Sequence, residues 1–283
     1  DASWGWGGLR VVDVADPSAP VEVGLALLVN GAPSTVSVVA GYAYVTVGGG
    51  TQESLRVLSL ANPAMPVELG TVVLDSLVEP SSFSTGSGLG GLADARDLRI
   101  LDVSQPSPPF QSGLLDTSEP GNDVAVAGDL AFVADCSGVR VVDVSDLSAP
   151  AELGLVPVSN CAMAIAATGS LAFALDTGSD FLLVVNASVP GSPTQIGGLG
   201  IPGAMEIAAG ATHVYVAAGD HGLRVVDVSD PATPAEVTSV TTGDDTGRLG
   251  SGTSAGRTSF ARRVARRLMR THQAALSRSL RRA

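Results

Sequence analysis

The chain repeats itself. Residues 8–20 read GLRVVDVADPSAP, residues 138–150 read GVRVVDVSDLSAP and residues 222–234 read GLRVVDVSDPATP. Weaker copies are SLRVLSLANPAMP at 54–66, DLRILDVSQPSPP at 97–109 and FLLVVNASVPGSP at 181–193. Aligned on their third position, the copies fall at Arg10, Arg56, Arg99, Arg140, Leu183 and Arg224, spaced by 46, 43, 41, 43 and 41 residues. A repeat with this period constrains the fold more than any local propensity, because each unit must bury its apolar face against its neighbours. A period of about 40–45 residues is that of a four-stranded propeller blade.

A second repeated element precedes each motif. Residues 122–135 read NDVAVAGDLAFVAD, a strand, a Gly-Asp turn and a second strand. Counterparts lie at 33–47, 161–176 and 204–220, with a degenerate, Gly-rich version at 81–95. Each unit therefore reads strand, tight turn, strand, short acidic loop, strand, Asp-Pro turn, strand. The strands are rich in Val, Ala and Leu and often apolar on both faces, as sheets stacked between two neighbours require. No helical period appears before the C-terminal segment, which excludes a TIM barrel or a Rossmann domain. The expected fold is all-β, a β-propeller of about six four-stranded blades. Asp1 aligns with the acidic loop slot of Asp135 and Asp220, so the first blade is expected to be incomplete, its leading strands lying upstream.

Charge separates the chain into two parts. All 16 basic residues are Arg, which excludes a lysine nucleophile, Schiff base or P-loop lysine. Residues 1–247 hold all 28 acids and only six Arg, a net charge of −22, whereas residues 248–283 hold ten Arg and no acid. Mean hydropathy is +0.33, yet no apolar run approaches the roughly 20 residues of a membrane-spanning helix. The expected organisation is a propeller over 1–239, a Gly/Ser/Thr-rich linker over 240–259 and a basic amphipathic tail over 260–283.

The LRVVD, VRVVD and LRILD cores, followed by V-S-D-P-x-x-P, resemble the LVIVD-repeat β-propellers. The resemblance covers residues 1–239, and motif, period and hairpin agree in it. It implies a secreted or surface-displayed prokaryotic protein, extracellular or attached to the cell envelope. It brings no catalytic residues with it.

A catalytic residue does one job, whereas a scaffold residue recurs in every blade. The motif acids Asp13, Asp102, Asp143 and Asp227, with Asn186 and Ser59 in the same slot, are expected to bond local backbone ahead of the turn. The sequon Asn186-Ala-Ser188 is read the same way, not as a glycan site. The five Arg of the repeat slot are expected to pair with carboxylates of the blades. Cys136 lies in an acidic loop and Cys161 just before the next unit's first strand, on one face of adjacent blades. A Cys136–Cys161 disulfide is geometrically reasonable and fits the secreted resemblance. Two unrelated buried thiols and a Cys-His-carboxylate site are the other readings. His213 and His221 fall on opposite faces, and no zinc spacing occurs.

The ligand-binding candidates are Trp4, Trp6, Asp135, Asp176, Asp220 and Glu206, on or beside the acidic loop face. Carboxylates there could hold Ca²⁺, with Asp123 and Glu206 the metal candidates, or form a solvated acidic rim. No other cofactor is expected. The basic tail, a helix or a disordered segment, suits an anionic surface, an acidic partner or the propeller itself, or is solvated and without function. The acidity of the propeller argues against nucleic acid. The first functional expectation is a secreted or cell-surface scaffold, without catalysis, binding a protein or glycan. The alternative is a propeller hydrolase or lyase with a Ca²⁺ held by channel and loop carboxylates.

Overall fold

The computed structural model describes residues 7–16, 19–29, 31–48, 53–74, 82–86, 88–93, 97–105 and 109–240. Among them every element is a β-strand except one 3-10 turn, Gly219–His221. That turn occupies an acidic loop in which no helical period is present.

The strands form one two-stranded and five four-stranded antiparallel sheets, each in chain order. β1 (Gly7–Asp13) and β2 (Val21–Leu28) make the two-stranded sheet. The next sheet is β3 (Ala32–Val39), β4 (Tyr42–Gly48), β5 (Glu53–Ser59) and β6 (Val67–Leu74). Then come β7 (Ser82–Gly86), β8 (Leu89–Ala93), β9 (Asp97–Asp102) and β10 (Phe110–Asp116). The fourth sheet is β11 (Asp123–Ala127), β12 (Leu130–Ala134), β13 (Gly138–Asp143) and β14 (Ala151–Pro157). The last two are β15 (Ala162–Thr168), β16 (Leu171–Asp176), β17 (Phe181–Asn186) and β18 (Thr194–Gly200), then β19 (Glu206–Ala209), β20 (His213–Ala217), β21 (Leu223–Asp227) and β22 (Ala235–Val240). Each repeat motif builds the third strand and the turn after it, as its sequence predicts. Among the described residues β1 and β2 form a two-stranded sheet, in the positions of the third and fourth strands of the other units.

The chain divides into two compact units. One holds the residues up to Gly121 together with Val144–Ala151, and the other holds Asn122–Asp143 and the residues from Glu152 onward. In the first, Tyr44, Leu55, Val57, Phe83, Leu92 and Leu101 form a core between two sheets. The degenerate hairpin at 81–95 folds as β7 and β8 all the same. Its Gly90 has no Cβ because the Phe83 ring lies there, 2.7 Å from where that atom would stand. In the second unit, Phe132, Val139, Val141 and Ile165 form one core, and Phe173, Leu182, Val184, Ile207 and Val216 form the next. Middle strands such as β16 and β17 are buried on both faces, whereas β22 is exposed throughout. That gradient is why the motif strands carry unbroken apolar runs.

Two devices recur. The motif Asp caps its turn: Asp13 accepts from the Ala15 amide at 2.8 Å, Asp102 from Ser104 at 2.9 Å and Asp227 from Ser229 at 2.8 Å. Asn186 accepts from Ser188 at 2.8 Å, which is the scaffold role read for the sequon. The second device is a bulge in the fourth strand, seen where β2, β6, β10, β18 and β22 pair with their neighbours. In β2, β6, β10 and β18 a glycine stands beside the bulge, and at Gly24, Gly113 and Gly197 the following turn packs directly on it. A Cβ on Gly24 would overlap the Pro63 carbonyl, and one on Gly197 the Pro231 carbonyl. Gly154 serves the same purpose, with the Pro193 ring 2.5 Å from an added Cβ. The turn's Pro and the fourth strand's Gly are thus two halves of one contact between sheets.

Candidate functional site

The acidic loop after the second strand is the feature from which a site could be built. In the fourth sheet Asp135 begins this loop, directly after β12, with a fully buried side chain. Its Oδ1 accepts the amides of Ser137 at 2.6 Å and Gly138 at 2.8 Å, and its Oδ2 accepts Arg140 Nε. Arg140 continues through Nη1 to Glu152 at 2.8 Å. Burial alone would lower the guanidinium pKa, but the bonds to Asp135 and Glu152 outweigh it and raise it above its ordinary value. Arg140 therefore stays charged, and Asp135 is fully engaged as its counter-ion.

The Arg slot has a partner that the sequence reading did not name. Arg10 reaches Glu22 at 2.6 Å, Arg56 reaches Glu68 at 3.4 Å and Arg224 reaches Glu236 at 2.8 Å, each twelve positions on. Arg99 meets Gln111 at 3.0 Å with the same separation. A third strand and a fourth strand joined by a turn of constant length bring these two positions together in each blade. The fixed spacing was the available signal. Arg56 also donates through Nη2 to the carbonyl of Val29, seven positions past Glu22.

The sequence-predicted candidates fall in different settings. Asp123 starts β11 and is buried; Oδ1 accepts the Val124 amide at 2.9 Å and Oδ2 the Ile165 amide of β15 at 2.8 Å. It is a tie between two sheets. Glu206 starts β19 and is only 1% exposed. β15 packs against both β11 and β19, so the two calcium candidates stand on strands with another between them. Among the described residues no group of three or more His, Cys, Asp or Glu side chains is arranged to hold a metal ion. Asp220 is exposed in the 3-10 turn. Trp4 and Trp6, and the tail over 260–283, lie outside the described residues. His213 bonds Thr212 at 2.9 Å, and His221 is exposed in the 3-10 turn.

Cys136 and Cys161 form a disulfide, with an S–S distance of 2.08 Å. It joins the acidic loop after β12 to the start of β15. The link is supported on both sides by backbone, since Ala162 donates to Asp135 at 3.0 Å and Asn122 Nδ2 donates to Ala162 at 2.9 Å. The pairing expected from the sequence is present.

One open recess adjoins this loop region, with a volume of about 560 Å³. Pro157, Val158 and Ser159 line one side; Asp176, Ser179, Phe181, Leu183 and Gln195 line the other. Asp176 is 2% exposed. The sequence reading singled out Asp176 but gave no reason for a recess beside it.

The LVIVD-repeat profile matches residues 3–26, 30–73, 92–117, 121–157 and 203–242. The chain belongs to the LVIVD-repeat family. The profile passes over the loose copy at 181–193 and residues 81–91 of the degenerate hairpin, yet both fold as ordinary strands of the repeat. No curated protein matches this LVIVD-repeat chain in sequence. Solved structures share its fold. A Lactobacillus plantarum protein has a TM-score of 0.67 at 15% identity, over 83% of this chain and 78% of that one. A chain of a mitotic checkpoint complex has a TM-score of 0.65 at 12% identity, over 84% and 74%. A functionally unknown protein from Desulfotomaculum acetoxidans has a TM-score of 0.60 at 15% identity, over 81% and 77%. At these identities the likeness is one of fold. The LVIVD-repeat fold here is all-β and built from four-stranded propeller blades. Among the described residues no helix is long and apolar enough to cross a membrane.

Proposed function

We propose that this chain is a secreted or cell-surface β-propeller scaffold, without catalysis, that binds a protein or glycan through its acidic loop face. The observation that carries the reading is how the buried acids are used. Asp135 is consumed by two amides and Arg140, and Asp123 by two amides. An acid that must exchange protons or hold a metal needs free lone pairs; these two spend theirs on backbone amides and on Arg140. The disulfide supports an oxidising compartment.

The test is a glycan array and an arrayed peptide library probed with the full chain, beside Asp220→Arg, with and without EDTA. Asp220 is exposed, so the variant keeps the fold. A ligand held by the parent, lost by Asp220→Arg and indifferent to EDTA supports the reading. Turnover of an arrayed substrate that EDTA abolishes overturns it in favour of a Ca²⁺-dependent hydrolase or lyase.

A further inference from the structure

The recess beside Asp176 stands where the repeat omits its arginine. In the slot filled by Arg10, Arg56, Arg99, Arg140 and Arg224 the fifth copy carries Leu183. Leu183 is 4% exposed and forms part of the recess wall. The groups that receive a guanidinium in other blades are nevertheless kept. Asp176 is the acid ending the second strand, as Asp135 is beside β12. Gln195 stands twelve positions past Leu183, where Glu152 stands past Arg140. Ser159 stands seven positions past Glu152, as Val29, the acceptor for Arg56, stands seven past Glu22. All three line the recess.

The bonding of the two loop acids differs accordingly. Asp135 takes amides at 2.6 and 2.8 Å and an arginine. Asp176 takes only the amides of Asn160 at 3.2 Å and Ser179 at 3.3 Å, and among the described residues no cation pairs with it. A carboxylate this buried is ordinarily compensated by an opposite charge. Here the compensating position opens onto a recess of about 560 Å³, within the size range of ligand sites.

We infer that this recess binds a guanidinium group supplied from outside the blade, with Asp176 as counter-ion and Gln195 as second acceptor. The inference rests on the scaffold reading and names the chemistry that one place on the loop face recognises. Guanidinium is preferred over ammonium because its planar fork reaches several acceptors at once. Two sources share this chemistry: an arginine of a partner, and the chain's own segment 248–283 with its ten Arg.

The experiment follows the backbone amides of Ser179 and Asn160 in the full chain by NMR while N-acetyl-arginine methylamide is added. The probe is expected to shift both amides saturably, and n-butylammonium to bind more weakly. Asp176→Asn is expected to weaken the probe about tenfold or more, and Gln195→Glu, which restores the acid of the other blades, to strengthen it about threefold. Leu183→Arg places the guanidinium within the blade and is expected to abolish probe binding. Should that variant fail to fold, Gln195→Glu still decides. Equal binding of the two probes, or affinity unchanged by both Asp176→Asn and Gln195→Glu, overturns the inference. Replacing Arg262, Arg263, Arg266, Arg267 and Arg270 with Gln separates the sources. If the tail occupies the recess, both amides move without probe and probe affinity rises; if a partner does, neither changes, and the guanidinium site stands in either case. An array ligand lost by Asp220→Arg but untouched by Asp176→Asn would sink the recess while leaving the scaffold reading intact.

Discussion

At the scale of single residues, one repeat slot has different energetic weight in different blades. Arg140 compensates Asp135, whose side chain is 0% exposed, whereas Arg224 and Glu236 are 21% and 31% exposed. Removing one partner of a buried pair strands the other charge, at about 3–5 kcal/mol, while an exposed pair is worth about 0.2–1 kcal/mol. Arg140→Ala is therefore expected to lower stability by several-fold more than Arg224→Ala, measured by urea unfolding. Equal losses would mean that Asp135 finds other compensation. Acid titration supplies a second prediction. Bonds from the Ser148 hydroxyl and amide hold Asp146 below the ordinary 3.8, and bonds from Ser229 do the same for Asp227. A carboxyl held below its unfolded value stabilises the fold above that value, and the contribution disappears as pH falls through the lowered one. Tm should thus decline below pH about 3.8, and the double variant Asp146→Asn/Asp227→Asn should flatten that decline by lowering Tm at pH 7, the two proteins converging at low pH. A decline of the same steepness in both proteins would refute the assignment. The turn-capping role of these acids was legible in the sequence, because a residue in every copy needs a reason present in every copy. The Glu partners of the Arg slot were equally legible at twelve residues' remove. The burial of Asp135 and the reach of Asp123 to Ile165 were not, since they depend on how one sheet meets the next.

At the scale of strands and turns, the contact between a fourth-strand glycine and the following turn gives the sharpest mutation. An added Cβ on Gly154 would stand 2.5 Å from Pro193 Cδ and 2.9 Å from its Cγ, whereas one on Gly191 meets nothing within 4 Å. Overpacking of this kind costs about 1–3 kcal/mol, and an open surface site changes stability by no more than about 0.5 kcal/mol. Gly154→Ala should fall measurably in urea midpoint while Gly191→Ala stays with the parent. Indistinguishable midpoints would show that the Pro193 turn yields freely. The disulfide acts at the same scale, closing a loop of 25 residues between β12 and β15. Its removal by Cys136→Ser/Cys161→Ser is expected to cost about 3.5 kcal/mol on the loop-closure account, measured by urea unfolding under oxidising conditions against the parent. No loss would mean that the reduced chain is already held by the Asn122 and Asp135 bonds to Ala162. Among the described residues the strands follow the period, those of the loose fifth copy included, because spacing survives when identity does not. The recess was missed because its signal is an omission. Leu183 reads as one more apolar strand residue until the neighbouring blades show what its slot normally holds.

At the scale of the whole molecule, charge decides how stability answers to salt. Residues 1–247 carry 28 acids against six Arg, so acid–acid repulsion is spread over the β-structure. Exposed attractive pairs such as Arg10–Glu22, 51% and 42% exposed, contribute little and are themselves screened. The buried Arg140–Asp135 pair is screened far less. Salt therefore removes more repulsion than attraction, and self-repulsion is the term that destabilises a strongly charged fold. Tm is expected to rise between 10 mM and 500 mM NaCl, as the screening length falls from about 30 Å toward a few ångströms. A falling Tm would mean that local ion pairs outweigh the distributed repulsion. The ten Arg of residues 248–283 give the discriminating experiment. Replacing them with Gln takes the formal net charge from −12 to −22 without touching any described strand. If those cations moderate the repulsion, the variant's Tm should be lower at 10 mM NaCl and should rise more steeply with salt, meeting the parent at 500 mM. Parallel salt curves would mean that the basic segment acts too far from the acidic sheets to matter.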